Sequence, residues 1–257
     1  MLGLDIVRSA AAAMPTMSLQ EVTAAADLQT RTDRKYLVPA TDFGRLIDSL
    51  GEGLAVLEID GGRTFDYESV YFDTPDLRAY HDHAHGRRRR FKVRTRSYLD
   101  SGLCALEVKT EGGRGETVKE RAGYAIEDRD RLTPAARDLA AAQIGSAATA
   151  DALQLALVTG YARTTIVDLA GQSRMTCDVD LTFSSPDRTG AGSRSAVLVE
   201  SKTAGAASRV DRMLWRMGHR PIALSKYCAG LAVLYTHLPA NRWSRVLRRS
   251  FGWRPAR

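Results

Sequence analysis

The chain has 257 residues, of which 44% are hydrophobic and 26% charged, a composition typical of a globular protein that can bury a substantial core. The formal net charge is +7, and residues 239 to 257 hold six arginines and no acid, so the rest of the chain is nearly balanced. Three widely spaced cysteines argue against a disulfide framework or a zinc site, and no apolar run has the length of a signal peptide or a membrane span. These features predict a cytoplasmic protein.

Helices are predicted near the ends of the chain and in the connections, with strands between them. Four stretches begin at a capping residue and end at glycine or proline: 41–51, which Thr41 would cap, 133–145, 208–218 and 225–239. Eight stretches have the composition of strands: TDRKYLV, FDYESVYFDT, RFKVRTRSY, LCALEVKT, ETVKERAGY, LVTGYARTTIV, RMTCDVDLTF and AVLVESKT. Short strands joined by turns such as EGGRGE predict an antiparallel sheet or barrel within an α+β fold.

The stretch GRRRRFKVRTRSY, residues 86 to 98, alternates cations with uncharged side chains. Its even-numbered residues from 90 to 96 are all arginine or lysine, and successive side chains of a strand point to opposite faces. Charged residues share a face on the other strands too: Asp33 with Lys35, Glu107 with Lys109, Lys119 with Arg121, Arg174 with Asp178 and Asp180, and Glu200 with Lys202. We therefore expect charged rows inside a tunnel of about eight strands, with the apolar rows outside under helices.

A cationic interior requires anions, because burying unpaired charges is costly. Guanidinium and ammonium groups match phosphate oxygens well, so a linear polyphosphate or a nucleoside triphosphate fits this interior. A carboxylate such as Glu200 would hold Mg²⁺ or Mn²⁺ on the phosphates. We expect removal of Arg94 or Arg96 to abolish turnover but leave the unliganded fold intact, since like-charge repulsion is relieved.

Nine motifs occur in order between about Thr30 and about Leu238: RTDRKYL, VYFDT, KVRTRSY, LEVKT, KER, YARTT, RMTCDVDL, VESK and LSKYCAG. Together they resemble the VTC domain, the polyphosphate polymerase branch of the triphosphate tunnel metalloenzymes. The resemblance implies an eight-stranded antiparallel tunnel barrel with flanking helices. It also implies a phosphotransferase that moves the γ-phosphate of ATP onto a growing polyphosphate chain with Mn²⁺ or Mg²⁺. Where the wider superfamily has an acidic ExExK strand, Arg31 replaces the first acid and the second acid is Asp33, which favours the polymerase branch.

The resemblance also assigns roles by position. The phosphate-binding cations would be Lys35, Lys92, Arg94, Arg96, Lys109, Lys119, Arg121, Arg163, Arg174, Lys202 and Lys226. Four of these are expected to act in catalysis: Arg94, Arg96, Arg163 and Lys226. Glu200 would be the metal ligand, with Glu107 and Asp178 as candidate second ligands.

Three segments are expected: an N-terminal helical or flexible lead over residues 1–29, a VTC-like tunnel domain over 30–238 and a basic amphipathic tail over 239–257. In the tail, Trp243, Val246, Leu247 and Phe251 fall near helical spacing. Such a helix could lie on the inner face of a membrane or contact a membrane protein, whereas a disordered basic end is the alternative.

Two other functions remain open beside the polymerase, namely a triphosphatase of the same fold, acting on inorganic triphosphate or a nucleotide, and a non-catalytic module that binds polyphosphate. Specific nucleic-acid binding is disfavoured, because the cations alternate with apolar residues on strands. The HDHAH stretch, residues 81–85, is predicted to be a solvated loop rather than a metal site.

Overall fold

The computed structural model describes residues 2–25, 32–111 and 117–256. Arg31 and the predicted turn at 112–116 lie outside the described residues. The helices are α1 Gly3–Ala12, α2 Leu19–Ala25, α3 Ala40–Leu50, α4 Arg78–Ala84, α5 Pro134–Ile144, α6 Ala147–Asp151, α7 Arg209–Arg216, α8 Lys226–Leu234 and α9 Ser244–Phe251. The strands are β1 Thr16–Met17, β2 Thr32–Pro39, β3 Leu54–Leu57, β4 Phe65–Asp73, β5 Arg90–Tyr98, β6 Leu103–Glu111, β7 Thr117–Tyr124, β8 Gln154–Asp168, β9 Ser173–Ser185, β10 Arg188–Ala191 and β11 Ala196–Thr203.

The strands form a large antiparallel sheet, which confirms the predicted α+β class. Eight strands follow one hydrogen-bonded path in the order β2-β11-β9-β8-β4-β5-β6-β7, and β1, β3 and β10 pair beside it. Closure of this path into a barrel was expected and is not found. Across the described residues no pairing joins β2 to β7, so the sheet is open at these edges. Alternation in a sequence shows which face a side chain occupies, but not whether the outer strands pair.

The chain divides into two compact units, which are described separately. Unit 1 comprises Met1–Phe65, Tyr161–Leu181 and Ser193–Ala223. Unit 2 comprises Asp66–Gly160, Thr182–Gly192 and Leu224–Arg257.

In unit 1, helices cover the apolar face of the strands, as predicted. Side chains of α1, α3 and α7 form one buried cluster with strand residues that include Tyr36, Val38, Met175, Cys177, Val197 and Val199. Helix α3 begins at Ala40, one residue before the predicted cap Thr41, because Pro39 already ends the strand, and it stops at Gly51 with φ 59°. Helix α7 begins with a capping box between Ser208 and Asp211.

In unit 2, the odd-numbered residues of β5 are buried: Phe91, Val93, Thr95 and Ser97. Helix α5 has the predicted cap, since the Thr133 side chain accepts a hydrogen bond from the Ala136 N–H. The C-terminal segment packs into this unit. Trp243, Leu247 and Trp253 are buried, and the Trp253 indole N–H donates to the Ala232 carbonyl at 2.8 Å.

This packing changes the interpretation of the tail. Of the four apolar side chains predicted to face a membrane, Trp243 and Leu247 are buried in unit 2, whereas Val246 and Phe251 are partly buried, with the Phe251 ring 6.0 Å from the Phe183 ring of β9. Among the described residues no helix is long and apolar enough to cross a bilayer.

Candidate functional site

In unit 2, the cations of β5 belong to rows that run across three strands. The register places Lys92 opposite Lys109 on β6, and Lys109 opposite Lys119 on β7. Like charges directly opposite one another on neighbouring strands are destabilising. A bound anion would relieve this repulsion, so the lysine row is suited to phosphate.

The next row is centred on a buried carboxylate. Glu107 is 3% exposed; its Oε2 lies 2.8 Å from Arg94 Nε, and its Oε1 lies 2.7 Å from Lys119 Nζ. Burial alone would raise the pKa of Glu107, but the charges of Arg94, Arg96 and Lys119 outweigh burial and hold the pKa well below its usual value. Glu107 therefore stays charged and fixes two cations in place.

Arg94 is fixed on its other side by an aromatic stack. Its Nη1 donates to the Tyr71 hydroxyl at 2.9 Å, and its guanidinium carbon lies 5.6 Å from the centre of the Tyr71 ring. The Tyr71 ring stacks on Tyr227 at 5.1 Å. The guanidinium is thus pre-oriented before any ligand arrives.

A second buried carboxylate anchors this stack. The Tyr227 hydroxyl donates to Asp73, whose oxygens also accept from the Ala79 and Tyr80 N–H groups at 2.9 and 3.0 Å, at the start of α4. Burial raises the pKa of Asp73. Because Tyr227 directly follows Lys226, this anchor also fixes the first turn of α8. Sequence reasoning missed Tyr71, Asp73 and Tyr227; the only signal was their place in the motifs VYFDT and LSKYCAG.

Two further predicted cations of unit 2 lie near the same rows. Arg96 stands opposite Ser69 and Ala105. Arg121 is exposed and donates to the Tyr98 hydroxyl at 3.0 Å.

In unit 1, charges of opposite sign face each other on β2 and β11, and a like-charged pair links β11 to β9. Glu200 on β11 lies opposite Lys35 on β2, and Lys202 lies opposite Asp33. On the other side, Lys202 faces Arg174 of β9. The arrangement differs from the lysine row of unit 2, since opposite charges stabilise neighbouring strands.

Arg163 of unit 1 is held by a bidentate ion pair. Its Nε and Nη2 lie 2.6 and 2.8 Å from the two carboxylate oxygens of Asp178, which is 1% exposed. Such a fork fixes the plane of the guanidinium. Arg163 can therefore present its remaining N–H groups in a defined direction.

Lys202 and Glu200 form a partly buried pair in unit 1, with 3.2 Å between Nζ and Oε1. Burial lowers the pKa of Lys202 to about 8; the nearby Arg163 charge acts in the same direction, and Glu200 opposes both. This lysine therefore titrates close to neutral pH.

We expect tripolyphosphate binding to weaken as the pH rises through about 8. The folded-state pKa lies below the ordinary lysine value of 10.5, so Lys202 is charged only below about 8, and an anion binds the charged form. Calorimetry on either side of this pH measures the change. The matched control is Lys202→Arg, because a guanidinium stays charged throughout and should remove the dependence. A dependence that persists in the control would assign the titration to another group.

A divalent metal would need substrate oxygens in its coordination shell. Within the described residues, no three His, Cys, Asp or Glu side chains cluster as a metal site. Glu107 and Asp178 each use both carboxylate oxygens on cations of their own units, which disfavours them as second ligands. Glu200 also forms an ion pair, through Oε1 with Lys202, so a hard cation held there would compete with this lysine and would draw further oxygens from phosphate.

The predicted site residues thus fall into two sets. Unit 1 holds Lys35, Arg163, Arg174 and Lys202 with Asp178 and Glu200. Unit 2 holds Lys92, Arg94, Arg96, Lys109, Lys119, Arg121 and Lys226 with Glu107. Within each unit, strand register brings most of the set onto one face.

The HDHAH stretch is helical rather than a solvated loop. Residues 81–84 lie in α4, and His83 is buried with a ring nitrogen 2.7 Å from the Ala79 carbonyl oxygen. Burial, with the nearby charge of Lys92, lowers the pKa of His83 to about 3. The buried histidine is neutral and serves the packing of α4.

Comparison with known families now bears on these rows. The family model described as the VTC domain matches residues 30–235. The chain belongs to the VTC domain family. The resemblance drawn from the nine motifs is therefore confirmed, and the matched region contains every predicted cation of the VTC domain.

The VTC domain is also similar to solved structures at low identity. A candidate adenylate cyclase from Bacillus halodurans shares 15% identity, with a TM-score of 0.49 over 75% of this chain and 92% of that chain. A candidate adenylyl cyclase from Hippeastrum, described as having a dominant triphosphatase activity, shares 14% identity, with a TM-score of 0.48 over 78% and 94% of the two chains. A search of curated proteins found no match to the sequence. The family assignment rests on the family model.

Proposed function

We propose that this VTC domain transfers the γ-phosphate of ATP onto a growing polyphosphate chain. The observation that carries the proposal is the lysine row of unit 2, where Lys92, Lys109 and Lys119 lie directly opposite one another. Glu107, which pairs with Lys119, relieves part of the repulsion along this row, and a bound polyanion would relieve it further. Membership of the VTC domain family supports the same substrate class.

The chemistry requires positioning and charge neutralisation more than a protein nucleophile. The bond between the γ-phosphorus and the bridging oxygen breaks, and a terminal oxygen of the polyphosphate forms the new bond, so that ADP leaves. The attacking oxygen is already anionic, and no protein base has to remove a proton. The cations lower the repulsion between two polyanions.

Within this proposal, the best-ordered guanidinium groups have the clearest roles. Arg94 is fixed by Glu107 and Tyr71, and Arg163 by Asp178, so both can hold equatorial phosphoryl oxygens without reorganising. Arg96 and Lys226 add charge for the triphosphate. Glu200, together with phosphate oxygens, would hold Mn²⁺ or Mg²⁺, which neutralises charge on the triphosphate when bound.

The test is a primer-extension assay with purified protein, ATP, Mn²⁺ and a short polyphosphate primer, with the products sized on a gel. We expect polyphosphate bands to lengthen with time as ADP forms in equal amount. Arg216→Gln, which changes an exposed side chain of α7, is the matched control and should extend the primer at the wild-type rate. Release of inorganic phosphate without extension would identify a triphosphatase. Binding of polyphosphate without any turnover would identify a binding module.

A further inference from the structure

Two arginine-rich segments have no role in the proposed function. One is the connection between α4 and β5, and the other is α9 with its flanks. Their exposed arginines are here called the arginine patch: Arg87, Arg88, Arg89, Arg245, Arg248, Arg249 and Arg254. All seven belong to unit 2.

Arg242 brings the two segments together. Its Nη1 donates to the His83 carbonyl at 2.8 Å, although the two residues are 159 positions apart in the sequence. The same nitrogen also packs close to Gly86, where an added Cβ would lie only 3.2 Å from it. The neighbouring Trp243 ring packs 5.9 Å from the Tyr80 ring of α4. The patch therefore combines arginines from distant parts of the chain on one surface region.

The patch is continuous with the cations of β5. Arg90 donates from Nη1 to the Arg87 carbonyl at 2.8 Å and forms an ion pair with Glu111. From Arg90, the cations continue at every second residue to Arg96, at intervals of about 6.8 Å along the strand. Neither residues 86–98 nor residues 239–257 contain an acid.

We infer that the arginine patch binds the part of a polyphosphate chain that extends beyond the reacting end. The inference rests on the proposed function for the identity of the polyanion. A linear chain with a charge on every phosphate can follow successive guanidinium groups along β5 and onto the patch, with bidentate contacts. The patch then retains a long acceptor between additions.

The side chains beside the patch favour this ligand over other polyanions. Single-stranded nucleic acid binds through aromatic rings on which bases stack, but Trp243 and Trp253 are buried. A helix that lies on a membrane inserts its apolar face, but Leu247 is also buried. Inorganic polyphosphate binds through its charged oxygens, so it requires neither exposed aromatic rings nor an exposed apolar helix face.

The test compares a long inorganic polyphosphate with tripolyphosphate in binding measurements at several salt concentrations. The variant R88Q/R89Q/R245Q/R249Q removes four charges of the patch, and R8Q/R45Q/R216Q/R220Q, which removes four exposed charges of unit 1, is the matched control. We expect the patch variant to bind long polyphosphate at least about tenfold more weakly. The plot of log affinity against log salt should also become less steep by about 3, because each lost phosphate contact on a single nucleic-acid strand changes that slope by about 0.7 and four charges are removed. Tripolyphosphate affinity should not change.

If the patch variant and the control lose the same affinity for long polyphosphate, the effect is one of net charge and the inference is overturned. Unchanged affinity of the patch variant for long polyphosphate would also overturn it. Patch-dependent binding to anionic vesicles, with polyphosphate binding unaffected, would overturn it too. Binding needs no turnover, so the outcomes separate from the proposed function. If the wild type extends no primer but the patch still selects long chains, the polymerase proposal fails and the patch assignment stands.

Discussion

Glu200→Gln is expected to lower phosphate transfer by roughly two orders of magnitude or more while tripolyphosphate binding survives. Glutamine keeps the shape of the side chain but removes the anionic oxygen that a divalent cation prefers. Binding should survive because the cations of the same face remain, and one fewer carboxylate makes that face more attractive to anions. Turnover is measured by primer extension, and binding by calorimetry with a non-hydrolysable ATP analogue, with and without Mn²⁺.

The neighbouring lysine sets the conditions of this measurement. Glu200 opposes the burial that lowers the pKa of Lys202 to about 8, so its loss lowers that pKa further. Binding should therefore be compared over a series of pH values well below 8, so that Lys202 becomes charged in both proteins. Glu120→Gln, at an exposed position of β7, is the control for loss of one negative charge. A variant with wild-type turnover and the same Mn²⁺ dependence would mean that Glu200 is not the ligand.

Arg94→Ala and Arg96→Ala should both reduce transfer about a hundredfold but should differ in stability, because Arg94 is hydrogen-bonded to the buried Glu107 whereas Arg96 acts on it through charge alone. Loss of Arg94 leaves Glu107, 3% exposed, with Lys119 as its remaining close ion-pair partner among the described residues. The cost should be about 2 kcal/mol, below the full effect of breaking a buried pair. An intact unliganded fold therefore stays the prediction for Arg96→Ala, whereas a loss of stability is now expected for Arg94→Ala.

Thermal unfolding with and without tripolyphosphate separates these effects. Arg96→Ala should unfold close to the wild-type temperature without ligand, since the fall in like-charge repulsion opposes the lost attraction to Glu107, and both variants should gain less stabilisation from the ligand. The double variant Arg94→Ala/Glu107→Gln is the matched control and should recover stability without recovering transfer. Unfolding of Arg94→Ala at the wild-type temperature would show that Lys119 alone compensates Glu107.

Sequence periodicity was sufficient to assign side chains to faces. The even-numbered cations of β5 and the buried odd-numbered residues follow directly from alternation, and so does the helix-covered face of unit 1. Helix N-caps could also be predicted where the capping side chain bonds to a residue close in sequence, as at Thr133 and Ser208. The exception at Thr41 shows that a boundary moves when proline ends the preceding strand, since the residue at the cap position is Pro39, two residues earlier.

Features that depend on strand register or on contacts between distant residues could not be predicted from sequence periodicity. The lysine row exists because β5, β6 and β7 pair in one alignment, and a shift by one residue would remove it. The anchor of Tyr227 on Asp73 joins residues 154 positions apart. Closure of the sheet was inferred from the charged rows, the number of strands and the resemblance, and a periodic pattern carries no information on whether the outer strands meet.

Burial of the last helix bears on how shortened versions of this protein should be interpreted. Removing residues 239 to 257 would take away not only six positive charges but also Trp243, Leu247 and Trp253, which are part of the interior of unit 2. An inactive or insoluble deletion would then report a damaged hydrophobic interior rather than a lost docking function. Genetic dissection of this end therefore calls for charge-swapped, full-length proteins.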